Sequence, residues 1–417
     1  MPKLVINGGK PLNGTVKVSG RKNSAVAIIP ATLLIDGSST LENMPRIEDV
    51  HVYLGILRAL GATVDSAASD VAKVNSTGLD CGRVPFDLVK RLRASYYLLG
   101  ALLARFGHAE VALPGGCDLG PRPIDQHLKG FRALGAKVTL ERGTVKVRAS
   151  RLVGAPVYFD IVSVGATVNV MLAAALAEGT TTIENAAKEP HIVDLANFLN
   201  AAGARVRGAG TDIIKITGVK SLRGCTHAII PDEIEAATLL MAGVGTGGDV
   251  TVENVIPKHL DPITAKLRES GAFVEENGEW VRAVAEGRPR PANVKTMPYP
   301  GYPTDAMPPM TALLSVAEGT SLVSEGIWDN RFKHADELKK MGADIRVEGR
   351  TAVIEGVDHL EGAPVEAKDL RAGAALLVAG AIAEGETEIY GVEHLDRGYE
   401  RTEEKFRALG AEIRRVE

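Results

Sequence analysis

Cysteine, aromatic residues and net charge are all scarce in this chain, and each scarcity removes a class of explanation. The three cysteines, Cys81, Cys117 and Cys225, stand far apart, with no Cys-x-x-Cys pair and no histidine at ligand spacing. Neither a disulfide framework nor a zinc site is expected from them. Aromatic side chains supply 4% of the 417 residues, which leaves the cores to aliphatic groups. A net charge of −4 offers no field for nucleic acid or an anionic membrane surface. Apolar runs such as 372–383 fall short of the ~18 residues that a bilayer span needs. The opening MPKLVINGGKPLNG has no apolar stretch of signal-peptide type, so a cytoplasmic protein is expected. A GxxxxGK[ST] loop and a strand-linked GxGxxG are missing as well, so neither ATP nor a dinucleotide is indicated, and no cofactor or metal is expected.

Glycine is abundant, and it is placed regularly. The motif reads LRALGATV at 57–64, FRALGAKV at 131–138, LNAAGARV at 199–206, LRESGAFV at 267–274, LKKMGADI at 338–345 and FRALGAEI at 406–413. Its glycines at 61, 135, 203, 271, 342 and 410 are spaced by 74, 68, 68, 71 and 68 residues. Such self-similarity is an internal repeat. In each copy the residues before the glycine have helical spacing, the glycine supplies a C-terminal cap, and the tail alternates like a strand.

A second marker runs in step, as in STLEN at 39–43, TTIEN at 181–185 and VTVEN at 250–254, and reads as a tight turn and a half-buried strand. Before each such marker lies a segment apolar nearly all round, for example ATVNVMLAAALA at 166–177 and AGAALLVAGAIA at 372–383. A helix without a polar face is an interior helix. The expectation is an α/β (α+β) chain of six βαβαββ repeats, three to a domain, with interior helices enclosed in domains of about 200 residues.

The starts of those interior helices carry the polar chemistry. Asp232 and Ser163 read as ordinary N-caps. Lys22, Arg93 and Arg371 do not, because cations at a helix N-terminus oppose the macrodipole. Their recurrence suggests an anionic ligand, a phosphorylated small molecule bound where exposed helix N–H groups and cations converge. Between repeats lies a Gly/Pro-rich loop, Pro114-Gly115-Gly116-Cys117-Asp118-Leu119-Gly120-Pro121-Arg122. Cys81 and Cys225 read as small buried hydrophobes. Cys117 reads instead as an exposed thiol able to act as nucleophile or proton donor, with Arg122 suited to a carboxylate or phosphate.

Several motifs taken in order resemble one family over the full chain. They are Lys22-Asn23, Arg93-Ala94-Ser95, Pro114-Gly115-Gly116-Cys117, Ser163-Val164-Gly165-Ala166-Thr167, Pro303-Thr304-Asp305, Asn330-Arg331-Phe332, Asp369-Leu370-Arg371-Ala372 and Asp396-Arg397-Gly398-Tyr399-Glu400-Arg401. The chain is similar to the UDP-N-acetylglucosamine enolpyruvyl transferases. The resemblance implies a two-domain inverse α/β barrel. Residues 1–20 plus 230–417 would form one domain and 21–229, with the Cys117 loop, the other. The active site would lie in the cleft that these domains form.

It also implies a transferase acting on phosphoenolpyruvate and UDP-N-acetylglucosamine as small-molecule partners. The reaction serves peptidoglycan precursor synthesis, and through it the cell wall, cell shape, the cell cycle and cell division. By position, Cys117 would be the proton donor and the target of fosfomycin, and Asp305 the base near the sugar hydroxyl. Lys22, Asn23, Cys117, Arg122 and Arg397 would hold phosphoenolpyruvate, with Lys22 and Arg397 catalytic as well. Asn23, Arg93, Arg122, Pro123, Ile124, Asp125, Gln126, Ser163, Val164, Gly165, Asp305 and Ile327 would contact the sugar nucleotide. Ile161 departs from the family, which often has a lysine there. The sister enzymes acting on shikimate 3-phosphate carry a Gly-Asn-[Ala/Ser]-Gly-Thr loop that this chain lacks.

Overall fold

A computed structural model describes residues 2–66, 70–79, 84, 86–112 and 124–417. The Cys81 position and the stretch holding Cys117, Arg122 and Pro123 lie outside them. Two compact units are present, one built from Pro231–Glu417 with the N-terminal segment up to Ser19, the other from the described residues of 20–230.

The glycine motif is a helix terminator used six times. Each motif glycine has a positive φ, between 89° at Gly271 and 104° at Gly203. In the first copy the Gly61 N–H donates to the Arg58 carbonyl at 3.0 Å and the Ala62 N–H to the Leu57 carbonyl at 3.0 Å. The same two bonds recur in the other copies, for example Gly203 to Asn200 at 3.0 Å and Ala204 to Leu199 at 2.9 Å. This is the Schellman arrangement, which satisfies two carbonyls that the helix leaves open. It explains the sequence pattern: the Leu or Phe four residues before the glycine packs in the core, and the Ala after it starts the return strand.

Each repeat contributes one small open sheet. In the third, Pro156–Tyr158 runs parallel to Thr180–Glu184, which pairs antiparallel with Ile213–Thr217, itself antiparallel to Arg205–Arg207. The same order of one parallel and two antiparallel pairings appears in five sheets, and the second repeat shows three strands among the described residues. Among the described residues the sheets stay separate, and none of them closes into a barrel. In the last, the N-terminal strand Lys3–Asn7 lies between Glu386–Tyr390 and Glu412–Val416, so the chain's beginning completes the repeat at its end.

The interior helices are Lys22–Ala31, Tyr97–Phe106 and Val164–Ala174 in one unit, and Glu233–Gly245, Met307–Leu314 and Leu370–Ile382 in the other. Most side chains along them are buried and none is exposed, as segments without a polar face require. In the latter unit the three helices pack against one another. A Cβ on Gly245 would stand 2.5 Å from Ile382 Cδ1 and 3.2 Å from Leu313 Cδ1, so the bare glycine permits that approach.

The chain leaves each unit through a pinned strand. Asn254, at φ 57°, donates its amide to the Val18 carbonyl at 2.8 Å. Asn43, at φ 53°, does the same to Ile229 at 2.7 Å. Among the described residues no helix is long and apolar enough to cross a membrane.

Candidate functional site

In the unit formed by residues 20–230, the predicted residues that the structure describes stand at four helix starts. Lys22 opens the Lys22–Ala31 helix and pairs with Asp49 at 2.7 Å, with both side chains largely shielded. Asn23 follows it in the first turn. Arg93 begins the short turn Arg93–Tyr96 ahead of the Tyr97–Phe106 helix. Ser163 caps the Val164–Ala174 helix, its Oγ accepting from the Ala166 N–H at 3.3 Å. Gly165 lies in that helix's first turn, with Val164 just before it.

Ile124 and Asp125 open the Asp125–Ala133 helix, and Gln126 is buried. The Gln126 amide donates to Asp160 at 3.1 Å, and its oxygen accepts from the Asp160 N–H at 3.0 Å. This fastens the helix to the segment that leads to Ser163. Lys129 also pairs with Asp160 at 2.7 Å, and Ile161 itself is exposed.

His127 is buried beside these residues, and sequence reasoning assigned it no role. The Asn169 amide oxygen accepts from the Gly100 N–H at 2.9 Å, and its nitrogen donates to the Tyr96 carbonyl at 3.0 Å and to His127 Nδ1 at 2.8 Å. These partners fix the amide orientation, so Nδ1 is an acceptor and the proton sits on Nε2. Burial above all, with Arg93 acting in the same sense against Asp125, lowers the His127 pKa to about 4. A Cβ on Gly165 would stand 2.8 Å from His127 Cε1, so the glycine leaves room for the imidazole.

In the other unit, Asp305 lies in the turn Thr304–Ala306 before the Met307–Leu314 helix. Its Oδ1 accepts from Arg331 at 2.8 Å and its Oδ2 from Arg371 at 3.0 Å. Both arginines are almost fully buried. Burial opposes the charge of Arg371, but Asp305, Tyr399 and Asp232 outweigh it and raise its pKa.

The Thr238 hydroxyl donates to the Ile234 carbonyl at 2.8 Å, so at 2.8 Å from Tyr399 Oη it accepts the Tyr399 proton. Tyr399 Oη then accepts from Arg371 at 3.3 Å, and the guanidinium is held toward Asp305. Asp232 and Asp369 are N-caps, each accepting from two backbone N–H groups. Ile327 follows Glu325, whose Oε1 accepts the Ile327 N–H at 2.6 Å. Arg397 closes the short helix Glu393–Asp396.

Two of the helix-start cations are therefore answered within the chain itself. Lys22 and Arg371 have carboxylates of this chain, Asp49 and Asp305, as partners, so an unsatisfied positive charge is not what marks these helix starts. Arg331 was visible only as part of a motif. Asp49 gave no signal, since an acidic residue in a first turn is also what the helix dipole favours. Cys225 is half-buried against the core and burial raises its thiol pKa, as suits an inert thiol.

Comparison with known proteins defines the class: the EPSP synthase (3-phosphoshikimate 1-carboxyvinyltransferase) family model matches residues 6–406, and the chain belongs to this family of enolpyruvyl transferases. It superposes on the enolpyruvyl transferase NikO from Streptomyces tendae with a TM-score of 0.90 and 30% identity, covering 100% of this chain and 99% of that one. EPSP synthase from Acinetobacter baumannii shares the fold, with a TM-score of 0.76, 20% identity and full coverage of both chains. More particularly, the chain is 58% identical to UDP-N-acetylglucosamine 1-carboxyvinyltransferase of Clostridium botulinum over 100% of both chains. It is 57% identical to UDP-N-acetylglucosamine 1-carboxyvinyltransferase 3 of Symbiobacterium thermophilum over 99% of this chain and 98% of that one.

Proposed function

We propose that this enolpyruvyl transferase moves the enolpyruvyl group of phosphoenolpyruvate to the 3′-hydroxyl of UDP-N-acetylglucosamine, releasing phosphate. The supporting observation is end-to-end identity of 58% with a relative of that name. The hydroxyl oxygen bonds to C2 of phosphoenolpyruvate as C3 gains a proton, giving a tetrahedral intermediate. Loss of a proton from C3 and cleavage of the C2–O bond to phosphate then give the enol ether and inorganic phosphate.

In this reading Asp305 takes the hydroxyl proton. Its two guanidinium contacts, Arg331 at 2.8 Å and Arg371 at 3.0 Å, fix the orientation of the carboxylate. Cys117 delivers the proton to C3 and is the residue fosfomycin modifies. Lys22, Asn23, Arg122 and Arg397 hold the phosphate and carboxylate of phosphoenolpyruvate. Asn23, Arg93, the run 122–126, Ser163–Gly165, Asp305 and Ile327 hold the sugar nucleotide. The place of action is the cytoplasm, at the entry to peptidoglycan precursor synthesis, and the chain thereby serves cell shape and division.

The matching family model is described by the shikimate enzyme, which makes shikimate 3-phosphate the competing acceptor. The Gly115-Gly116-Cys117 loop and the missing Gly-Asn-[Ala/Ser]-Gly-Thr loop favour the sugar nucleotide. The test is phosphate release from phosphoenolpyruvate with each acceptor in turn. Release with UDP-N-acetylglucosamine alone is expected, and release only with shikimate 3-phosphate refutes the assignment.

A further inference from the structure

The residue just after the central strand of a repeat has the same task in three repeats, and the fifth repeat gives it another. Asn43 follows strand Ser38–Glu42, Asn185 follows Thr180–Glu184 and Asn254 follows Asp249–Glu253. All three have positive φ, at 53°, 57° and 57°. Their side-chain amides donate to carbonyls just beyond the neighbouring parallel strand, at Ile229 (2.7 Å), Phe159 (2.9 Å) and Val18 (2.8 Å). The sixth repeat has Gly391 there, also at positive φ.

The fifth repeat has Glu325 after strand Thr320–Ser324. It lacks a positive φ and is 3% exposed. Its Oε1 accepts the N–H groups of Ile327 at 2.6 Å and Trp328 at 3.0 Å, and its Oε2 accepts the Thr304 hydroxyl at 2.8 Å. A buried carboxyl group is costly unless its oxygens are satisfied, and the asparagines show that the repeat folds without one. What the glutamate adds is a clasp. It ties the turn Thr304–Ala306, which carries Asp305, to the backbone of Ile327.

We infer that Glu325 is a positioning residue: by joining the Thr304 hydroxyl to the Ile327 and Trp328 amides it sets how tightly the site holds the nucleotide sugar. The inference rests on the functional reading above, in which Asp305 and Ile327 both meet that substrate. Asp305 keeps its two arginines without the clasp. The loss therefore falls on sugar-nucleotide affinity, and the affinity for phosphoenolpyruvate is spared.

Glu325→Asn restores the residue of the first, third and fourth repeats, and Thr304→Val removes only the hydroxyl donor at nearly constant volume. Binding of UDP-N-acetylglucosamine by isothermal titration calorimetry is expected to weaken about tenfold in each, with KM for phosphoenolpyruvate within twofold of wild type. Wild-type sugar-nucleotide affinity in Thr304→Val overturns the inference even if the Glu325 variant does not fold. Equal losses for both substrates also overturn it, since they denote a general disturbance. A wild-type protein that binds no UDP-N-acetylglucosamine instead defeats the functional reading, and the clasp's role with it.

Discussion

His127 offers the most direct test of the polar packing at the helix starts. Its Nδ1 accepts from Asn169, whose amide is fixed by Gly100 and Tyr96. Protonation would place an N–H against an N–H and charge a ring that is 7% exposed. The folded-state pKa of about 4 lies below the unfolded value of about 6.5.

The sign follows from proton binding. As pH falls below about 6.5 the unfolded chain takes up a proton at this site and the folded one does not, so stability is lost until about pH 4. Between pH 7 and 5 the loss from this residue is about 2 kcal/mol. Carboxylates whose pKa is depressed on folding, such as Asp249 and Glu337, lose their contribution mainly below about pH 5. His334, lowered to about 4 by burial, adds a loss of the same sign, so the contribution of His127 is read by difference. In histidine-labelled protein, the His127 Cε1–H resonance, assigned by its absence in His127→Gln, should titrate near pH 4. Urea unfolding should show wild type losing about 2 kcal/mol more than His127→Gln from pH 7 to 5. A resonance titrating near 6.5 would refute the buried acceptor arrangement.

Two glycine substitutions separate backbone strain from crowding. Gly203 has φ 104° and open space where a Cβ would go, so Gly203→Ala should cost about 1–2 kcal/mol through its left-handed backbone alone, with Gly203→Asn milder in the same urea titration. An unchanged midpoint would contradict the helix-cap reading. At Gly165 the strain is steric: a Cβ would lie 2.8 and 2.9 Å from His127 ring atoms that Asn169 holds in place. Gly165→Ala should therefore lower stability by about 1–3 kcal/mol, and this loss should largely vanish in a His127→Ala background.

The features legible in the sequence are those whose cause is local. Six copies of Leu/Phe-x-x-x-Gly-Ala announce six helix ends because the cap uses only residues within one turn. The interior helices are legible because burial on all sides leaves no polar residue in the segment. Asp232 and Ser163 could be read as caps for the same reason. Partners from distant segments were not legible. Lys22 meets Asp49 from the next helix, and Asp305 meets Arg331 and Arg371 from positions 26 and 66 residues away. The sequence reveals an ill-placed cation at a helix start, but only the tertiary fold reveals that a carboxylate of the same chain answers it.

A repeat protein offers a second kind of legibility, because every copy is a control for the others. Where copies agree, the shared residue is explained by what each must do: end a helix at glycine in all six, or pin an outgoing strand with an asparagine amide in three. Where one copy departs at a buried position, folding of the unit cannot be the reason, since its siblings fold without the change. Glu325 departs in this way, replacing an amide donor by a carboxyl acceptor and turning from the parallel strand toward Thr304 and Ile327. Arg371 departs too, as a buried cation in the first turn of its helix where the third and fourth interior helices have apolar residues or carboxylates. Both lead to the turn that carries Asp305, one through Thr304 and the other through the carboxylate itself. The fold is thus written in the agreement among the repeats, and the chemistry in their disagreements.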